Sequence, residues 1–168
     1  MKQLTHNDIE NKQQQFPITI VCDAIRTPEN IGMCFRIAES FGVEKIYFHE
    51  NSPSLENRKV LKTARNTIQQ IEHHFYTDFK QTIHQLKQEE NTIIGIEITD
   101  KSINIQDFEF KNHKKIVLLL GSERNGIENI NLVDYTIAIP MFGRNSSMNV
   151  VHSLAITLYE VTNQFLEK

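Results

Sequence analysis

The amino-acid sequence predicts an α/β fold, a mainly parallel sheet covered by helices on both faces. Three observations carry that prediction. Strand-like and helix-like segments alternate from residue 18 to residue 166, the order expected of strands joined by crossover helices. Ile116-Val117-Leu118-Leu119-Leu120 is apolar without a break, so both faces of that strand are buried. The loops at 23–30, 99–102, 121–126 and 140–147 all follow strands. They can therefore converge on one edge of the sheet, where ligands sit in such folds.

Each element has a local reason. Residues 4–15 read as a short polar helix, capped by Thr5 or Asn7 and ended by Pro17. Ile18–Cys22 is a β-branched strand, and Asp23–Thr27 is a loop. Thr27-Pro28 fits an N-cap and first helical position, opening a helix over 28–41 that Gly42 closes. Lys45–Phe48 is a strand, Asn51–Ser54 a turn, 55–65 a helix and Gln70–Tyr76 a strand. Asp78 caps a helix through Glu89, with Phe79, Ile83 and Leu86 on its apolar face. Thr92–Ile98 is a strand followed by a polar loop around Thr99-Asp100-Lys101-Ser102. After the strand at 114–120 come the loop Gly121–Gly126, a short helical piece at 127–132 and a strand at Tyr135–Ile139. A helix over 149–166 closes the chain, with Val150, Leu154, Leu158, Val161 and Phe165 at helical spacing.

Length and composition bound the function. A chain of 168 residues without linker, repeat or low-complexity tract is expected to be one domain spanning 1–168, with 1–17 as a helical extension. No run of about 18 apolar residues is present, and the polar N-terminus lacks the apolar core of a signal peptide. A cytoplasmic location with no membrane partner is the expectation. Cys22 and Cys34 are not in a CxxC pattern and sit among apolar residues, as reduced core thiols do. His73 and His74 are adjacent, so on a strand they face opposite ways; no metal is expected. The net charge of −3 argues mildly against a nucleic-acid partner. Arg58, Lys59, Lys62 and Arg65 nevertheless cluster, and clustering matters more than the total.

Three stretches carry chemistry. In the loop at 121–126, Gly121 permits close backbone approach to a ligand and Gly126 a sharp exit. Glu123 either accepts hydrogen bonds from loop N–H groups or pairs with a cation. The loop is neither a dinucleotide fingerprint nor a phosphate loop. In 27–36, Asn30 lies in the first helical turn, and Gly32 inside a helix calls for a packing or approach reason. Gly32 and Arg36 are four residues apart and share a helix face. In 138–160, a strand breaks at Gly143 and passes through Arg144-Asn145-Ser146-Ser147 into a helix start, where backbone N–H groups are free.

Taken together, the three stretches resemble the SpoU (TrmH-like) family of RNA ribose 2′-O-methyltransferases, within the SPOUT superfamily. The matching residues are Asn30-x-Gly32-x-x-x-Arg36, then Leu120-Gly121-Ser122-Glu123-Arg124-Asn125-Gly126, then Ile139-Pro140-Met141-Phe142-Gly143 with Ser147-Met148-Asn149-Val150. The likeness extends from about 18 to 165, and its third stretch is the most specific. Met148 stands where the family usually has Leu, and Val151 where many members have a small polar residue. Only about 17 residues precede the first strand, so the family's optional N-terminal RNA-binding domain is expected to be absent.

The resemblance implies more than periodicity does. Periodicity alone leads to an open doubly wound sheet, since knots are excluded by default. The resemblance instead implies a C-terminal deep trefoil knot and a homodimer with its site near the subunit interface. It implies S-adenosylmethionine as cofactor, held by Thr99, Gly121, Ile139 and Met148. It implies methyl transfer to a ribose 2′-hydroxyl of RNA, with tRNA expected first and rRNA second. Arg36 takes the position of the catalytic arginine, with Asn30, Glu123, Ser147 and Asn149 orienting it, the substrate or the loops. The other readings weighed are a catalytically silent RNA-binding SPOUT protein and a nucleotide-binding or hydrolase α/β enzyme. The intact Arg36, Glu123 and Asn149 set argues against the first, and the missing phosphate loop and nucleophile elbow against the second.

Overall fold

A computed structural model describes residues 1–5, 8 and 12–167. Strands β1 (Phe16–Cys22), β2 (Val43–His49), β3 (Glu72–Tyr76), β4 (Thr92–Ile96), β5 (Ile103–Asn104), β6 (Ile116–Leu120) and β7 (Tyr135–Ala138) form one sheet in the order β3-β2-β1-β6-β4-β7-β5. Every pairing is parallel. The helices are α1 (Pro28–Ser40), α2 (Arg58–Ala64), α3 (Phe79–Gln88) and α4 (Val150–Leu166).

Strand β6 shows why both faces are covered. Ile116, Leu118 and Leu120 join the core beneath α1, α2 and α4, with Phe35, Ala64 and Leu154. Val117 and Leu119 point the other way, into a smaller core with Ile83 and Leu86 of α3. All five residues are buried, as an uninterrupted apolar run at the centre of a parallel sheet requires. Truncating one, such as Leu118→Ala, would cost about 2–5 kcal/mol.

Most expected elements appear within two or three residues of their bounds, but some local readings change. Residues 12–15 carry no helix, and β1 already begins at Phe16. The backbone there is tied down instead, because the Phe16 N–H donates to the Gly42 carbonyl at 2.8 Å. Asn7 and most of the expected N-terminal helix lie outside the described residues. The helical piece expected at 127–132 shrinks to a 3₁₀ turn at Ile130–Leu132. On α4, Val151 is buried where Val150 is only half-buried, so the position that departs from the family pattern belongs to the core.

Gly32 is explained by helix packing. A Cβ there would strike Thr63, the Val60 carbonyl and Ala64 of α2. Gly32 and Arg36 do not share an environment: Gly32 is buried against α2, and Arg36 is exposed. Cys22 and Cys34 are both free and buried, and burial pushes the Cys22 thiol up.

Candidate active site

Beyond the carboxyl ends of β4, β6 and β7 lies a cavity of about 810 Å³. Three walls close it: the 96–99 segment leaving β4, the 120–127 turn after β6, and the 137–150 segment from β7 into α4. Thr99, Gly121, Ile139 and Met148, expected to hold a cofactor, all line it, as do Glu123, Ser147 and Asn149. Asn30 and Arg36 are not on its wall.

The turn after β6 is the most constrained wall. Ser122 and Gly126 exchange backbone hydrogen bonds of 3.0 and 3.1 Å. Gly126 has φ +63, and a Cβ on it would strike the Glu97 carboxylate. Gly121 has a different partner from the one expected: a Cβ there would meet the Gly126 backbone and the Ile127 nitrogen. Its missing side chain is occupied by the protein's own turn. Gly121→Val therefore breaks the turn before it fills any ligand slot.

From other residues Glu123 accepts hydrogen bonds from the Arg26 N–H at 3.1 Å, the Thr27 N–H at 3.0 Å and the Asn30 amide at 3.0 Å. Thr27 occupies the N-cap position of α1, but its side chain makes no capping bond. A carboxylate 96 residues further along the chain holds that helix start instead. Desolvation alone would raise the Glu123 carboxyl. The bonds from Arg26, its own backbone, Asn30 and Thr27 outweigh it and hold the carboxyl at about 2. At neutral pH Glu123 is a fixed anion and a poor proton acceptor.

Asn30 carries the connection onward. Its side-chain oxygen accepts from the Asn149 amide at 3.4 Å. The Asn149 oxygen in turn accepts from the Val151 N–H at 2.9 Å and caps α4. One residue from each of the three stretches thus joins a single chain, Glu123–Asn30–Asn149, spanning the starts of α1 and α4. Arg36, six residues after Asn30, is exposed and belongs to none of the ion pairs among the described residues.

Two features of the walls were not read from the sequence. Glu97 lines the cavity and accepts from the Ile98 N–H at 2.9 Å and the Ile127 N–H at 3.1 Å, joining two walls. An acid at the carboxyl end of a buried strand was the signal that could have found it. The Thr99 hydroxyl lies 3.0 Å from the Ser102 hydroxyl and 3.2 Å from that of Thr136, so it also braces the 97–102 loop. Among the described residues no group of three His, Cys, Asp or Glu is placed to hold a metal ion. No helix of the described residues is long and apolar enough to cross a membrane.

Comparison with known proteins agrees with this arrangement. The profile of the SpoU rRNA Methylase family matches residues 17–159. A Haemophilus influenzae protein named 23S rRNA (guanosine-2′-O-)-methyltransferase RlmB is 30% identical over 173 residues, covering 98% of this chain and 68% of that protein. A Borreliella burgdorferi protein named an uncharacterized tRNA/rRNA methyltransferase is 29% identical over 164 residues, covering 94% of this chain and 71% of the other. The SpoU methyltransferase AviRb from Streptomyces viridochromogenes, solved with the cofactor AdoMet, superposes with a TM-score of 0.80 at 21% identity. It shares the fold across 99% of this chain, which spans 63% of AviRb. With the profile covering most of the chain and the three stretches joined through Glu123, Asn30 and Asn149, the chain belongs to the SpoU rRNA Methylase family.

Proposed function

We propose that this protein transfers a methyl group from S-adenosylmethionine to a ribose 2′-hydroxyl of RNA. The observation that carries the reading is the Glu123–Asn30–Asn149 chain beside the cavity. It ties the three stretches of the resemblance into one structure. The cavity suits the cofactor. Its volume of about 810 Å³ is of the size that holds small molecules. Ile96, Ile98, Ile137, Ile139 and Met148 offer apolar surface for an adenine. Glu97 and Glu123 place negative charge near a cationic ligand. When bound, the cofactor supplies an electrophilic methyl group on a sulfonium.

The chain's own residues do the rest. Arg36 holds the ribose and its neighbouring phosphate with a planar fork and stabilises negative charge developing on the attacking oxygen. A guanidinium holds its proton too tightly to serve as a base. Asn30 and Glu123 fix the start of α1, and so the helix that carries Arg36. Ser147 is exposed on the cavity wall and is free to orient the substrate. Two further readings accompany this one. Strand β7 sits between β4 and β5, although β5 directly follows β4 in the chain, which supports a threaded C-terminal segment and the trefoil knot. Phe142, Met148, Ile156 and Tyr159 are exposed on the last wall and α4, which supports a homodimer that covers them.

Among RNA classes, rRNA is the first reading. The Haemophilus relative is named for 23S rRNA, and the earlier preference for tRNA has no support in that name. The Borreliella relative is named for both, which keeps tRNA as the second reading. The test uses methyl-labelled S-adenosylmethionine with separate tRNA and rRNA pools from a strain lacking the gene, followed by nucleoside mass spectrometry. Label in 2′-O-methylnucleosides is expected. Label on bases alone, or in neither pool, would overturn the proposal.

A further inference from the structure

A second cleft, of about 440 Å³, opens beyond the carboxyl ends of β1, β2 and β3, lined by Asp23, Arg26, His49, Thr77, Lys80 and Glu128 among others. It is the counterpart of the first cavity on the other half of the sheet edge. The segments 23–27 and 121–129 stand between the two, and the Arg26–Glu123 hydrogen bond fastens them together.

Asp23 is the unusual group. It is only 9% exposed, yet its carboxylate receives a single long hydrogen bond, from the Tyr76 hydroxyl at 3.4 Å. A buried carboxylate normally gathers several donors. The next residue, Ala24, has φ 57, a left-handed conformation that non-glycine residues seldom adopt and that clusters at functional sites. The other acids of the cleft are engaged: Asp78 accepts from the Gln81 N–H at 3.0 Å, and Glu128 from the Asn125 amide at 3.1 Å. His49 accepts from the Asn51 N–H through Nδ1 at 3.1 Å, so in the neutral ring Nε2 carries the proton. Arg26 and Lys80 stand exposed at the rim. No metal cluster exists among the described residues. The spare acceptor capacity of Asp23 thus calls for an organic donor, and the two rim cations for an anion beside it.

We propose that this cleft binds a guanine nucleotide of the RNA, adjacent to the nucleotide being methylated. Asp23 accepts from the guanine Watson–Crick edge, and Arg26 and Lys80 hold its phosphate. Guanine presents N1–H and the 2-amino group side by side, two donors for two carboxylate oxygens. The corresponding edges of adenine, cytosine and uracil each set an acceptor beside the donor, which a carboxylate repels. Reading a base edge gives specificity, while the phosphate contacts position the strand. One RNA strand crossing the shared wall would place one nucleotide in this cleft and its neighbour at the mouth of the cofactor cavity. This inference rests on the RNA-methyltransferase reading for its substrate class, but its test does not depend on methyl transfer.

The test is an amide-NMR titration of the full chain with 5′-GMP, 5′-IMP, 5′-AMP, 5′-CMP and 5′-UMP, with S-adenosylmethionine titrated separately. GMP should shift amides at 23–26, 49–51 and 77–80 saturably, and bind at least fivefold tighter than the others. IMP, which lacks the 2-amino group, should lose most of that preference in the wild-type protein. Asp23→Asn should abolish the preference, and Lys80→Ala, at an exposed position, should weaken all five nucleotides alike. No shift in the cleft, equal binding of GMP and IMP, or shifts confined to 121–127 and 137–150 would overturn the proposal. Failure of S-adenosylmethionine to shift 121–127 would count against the methyltransferase reading and leave the cleft result standing.

Discussion

The turn at 121–127 and the segment at 139–149 face each other across the same cavity, and they are built on opposite plans. The first is held by a paired backbone, by Glu123 on the start of α1 and by Glu97 on Ile127. The second is largely exposed, with Phe142 at 98%. Among the described residues its hydrogen bonds begin only at Asn149. The contrast separates two jobs. A wall whose polar groups are already satisfied costs nothing to reorganise when a ligand arrives. A wall of exposed apolar side chains has surface left to bury, which suits a segment covered by a ligand or a second copy.

The largest expected effect tests whether α1, the helix whose start the rigid wall anchors, serves chemistry. Arg36→Lys keeps the charge but loses the planar fork. Single-turnover methyl transfer at saturating RNA and cofactor should fall about 100-fold or more, with the fold intact by circular dichroism. A rate within about threefold, roughly 0.65 kcal/mol of barrier, would leave Arg36 a surface cation.

Next comes the exposed wall. Met148→Lys puts a cation into the cavity beside a cationic cofactor, and calorimetry should show S-adenosylmethionine binding at least about tenfold weaker. Unchanged affinity in a folded variant would remove Met148 from the cofactor site.

The anchoring of the rigid wall is tested by stability. Glu123→Ala should cost about 1–2 kcal/mol in denaturant melts, kept modest because Glu123 is solvent-exposed. The effect has a pH signature. The folded carboxyl sits at about 2, below its ordinary 4.5, so its contribution is full above about 4.5 and fades as pH falls towards 2. The gap between wild type and variant should therefore close over that window. A gap constant from pH 6 to pH 3 would show that the ionised carboxylate is not the anchor.

The smallest effect belongs to Phe142→Ser. With the ring almost wholly exposed, chain stability should change by less than about 0.5 kcal/mol. The dimer proposed above should dissociate at a higher protein concentration in the variant, as followed by light scattering. A stability loss of several kcal/mol would mean that the segment is already anchored in the single chain.

What the sequence determined by itself was local. Alternating strand and helix periods, the unbroken apolar run at Ile116–Leu120 and the cap at Asp78 each depend on near neighbours, so they can be read without the fold. So could the chemical identity of the three stretches. Tertiary structure decided what each residue touches. Gly121 looked like room for a ligand and is room for Gly126. Gly32 called for a packing or approach reason, and only the fold showed that α2 supplies it. Thr27 looked like a cap, and Glu123 does the holding from 96 residues away. Asp23 looked like a loop residue and is a buried acceptor facing a second cleft. The strand order β3-β2-β1-β6-β4-β7-β5 brought these distant residues together. Hydrophobic period says that a segment is a strand and which faces it buries, but not which strand lies beside it. That choice is made by packing over the whole chain, and the site is made of its consequences.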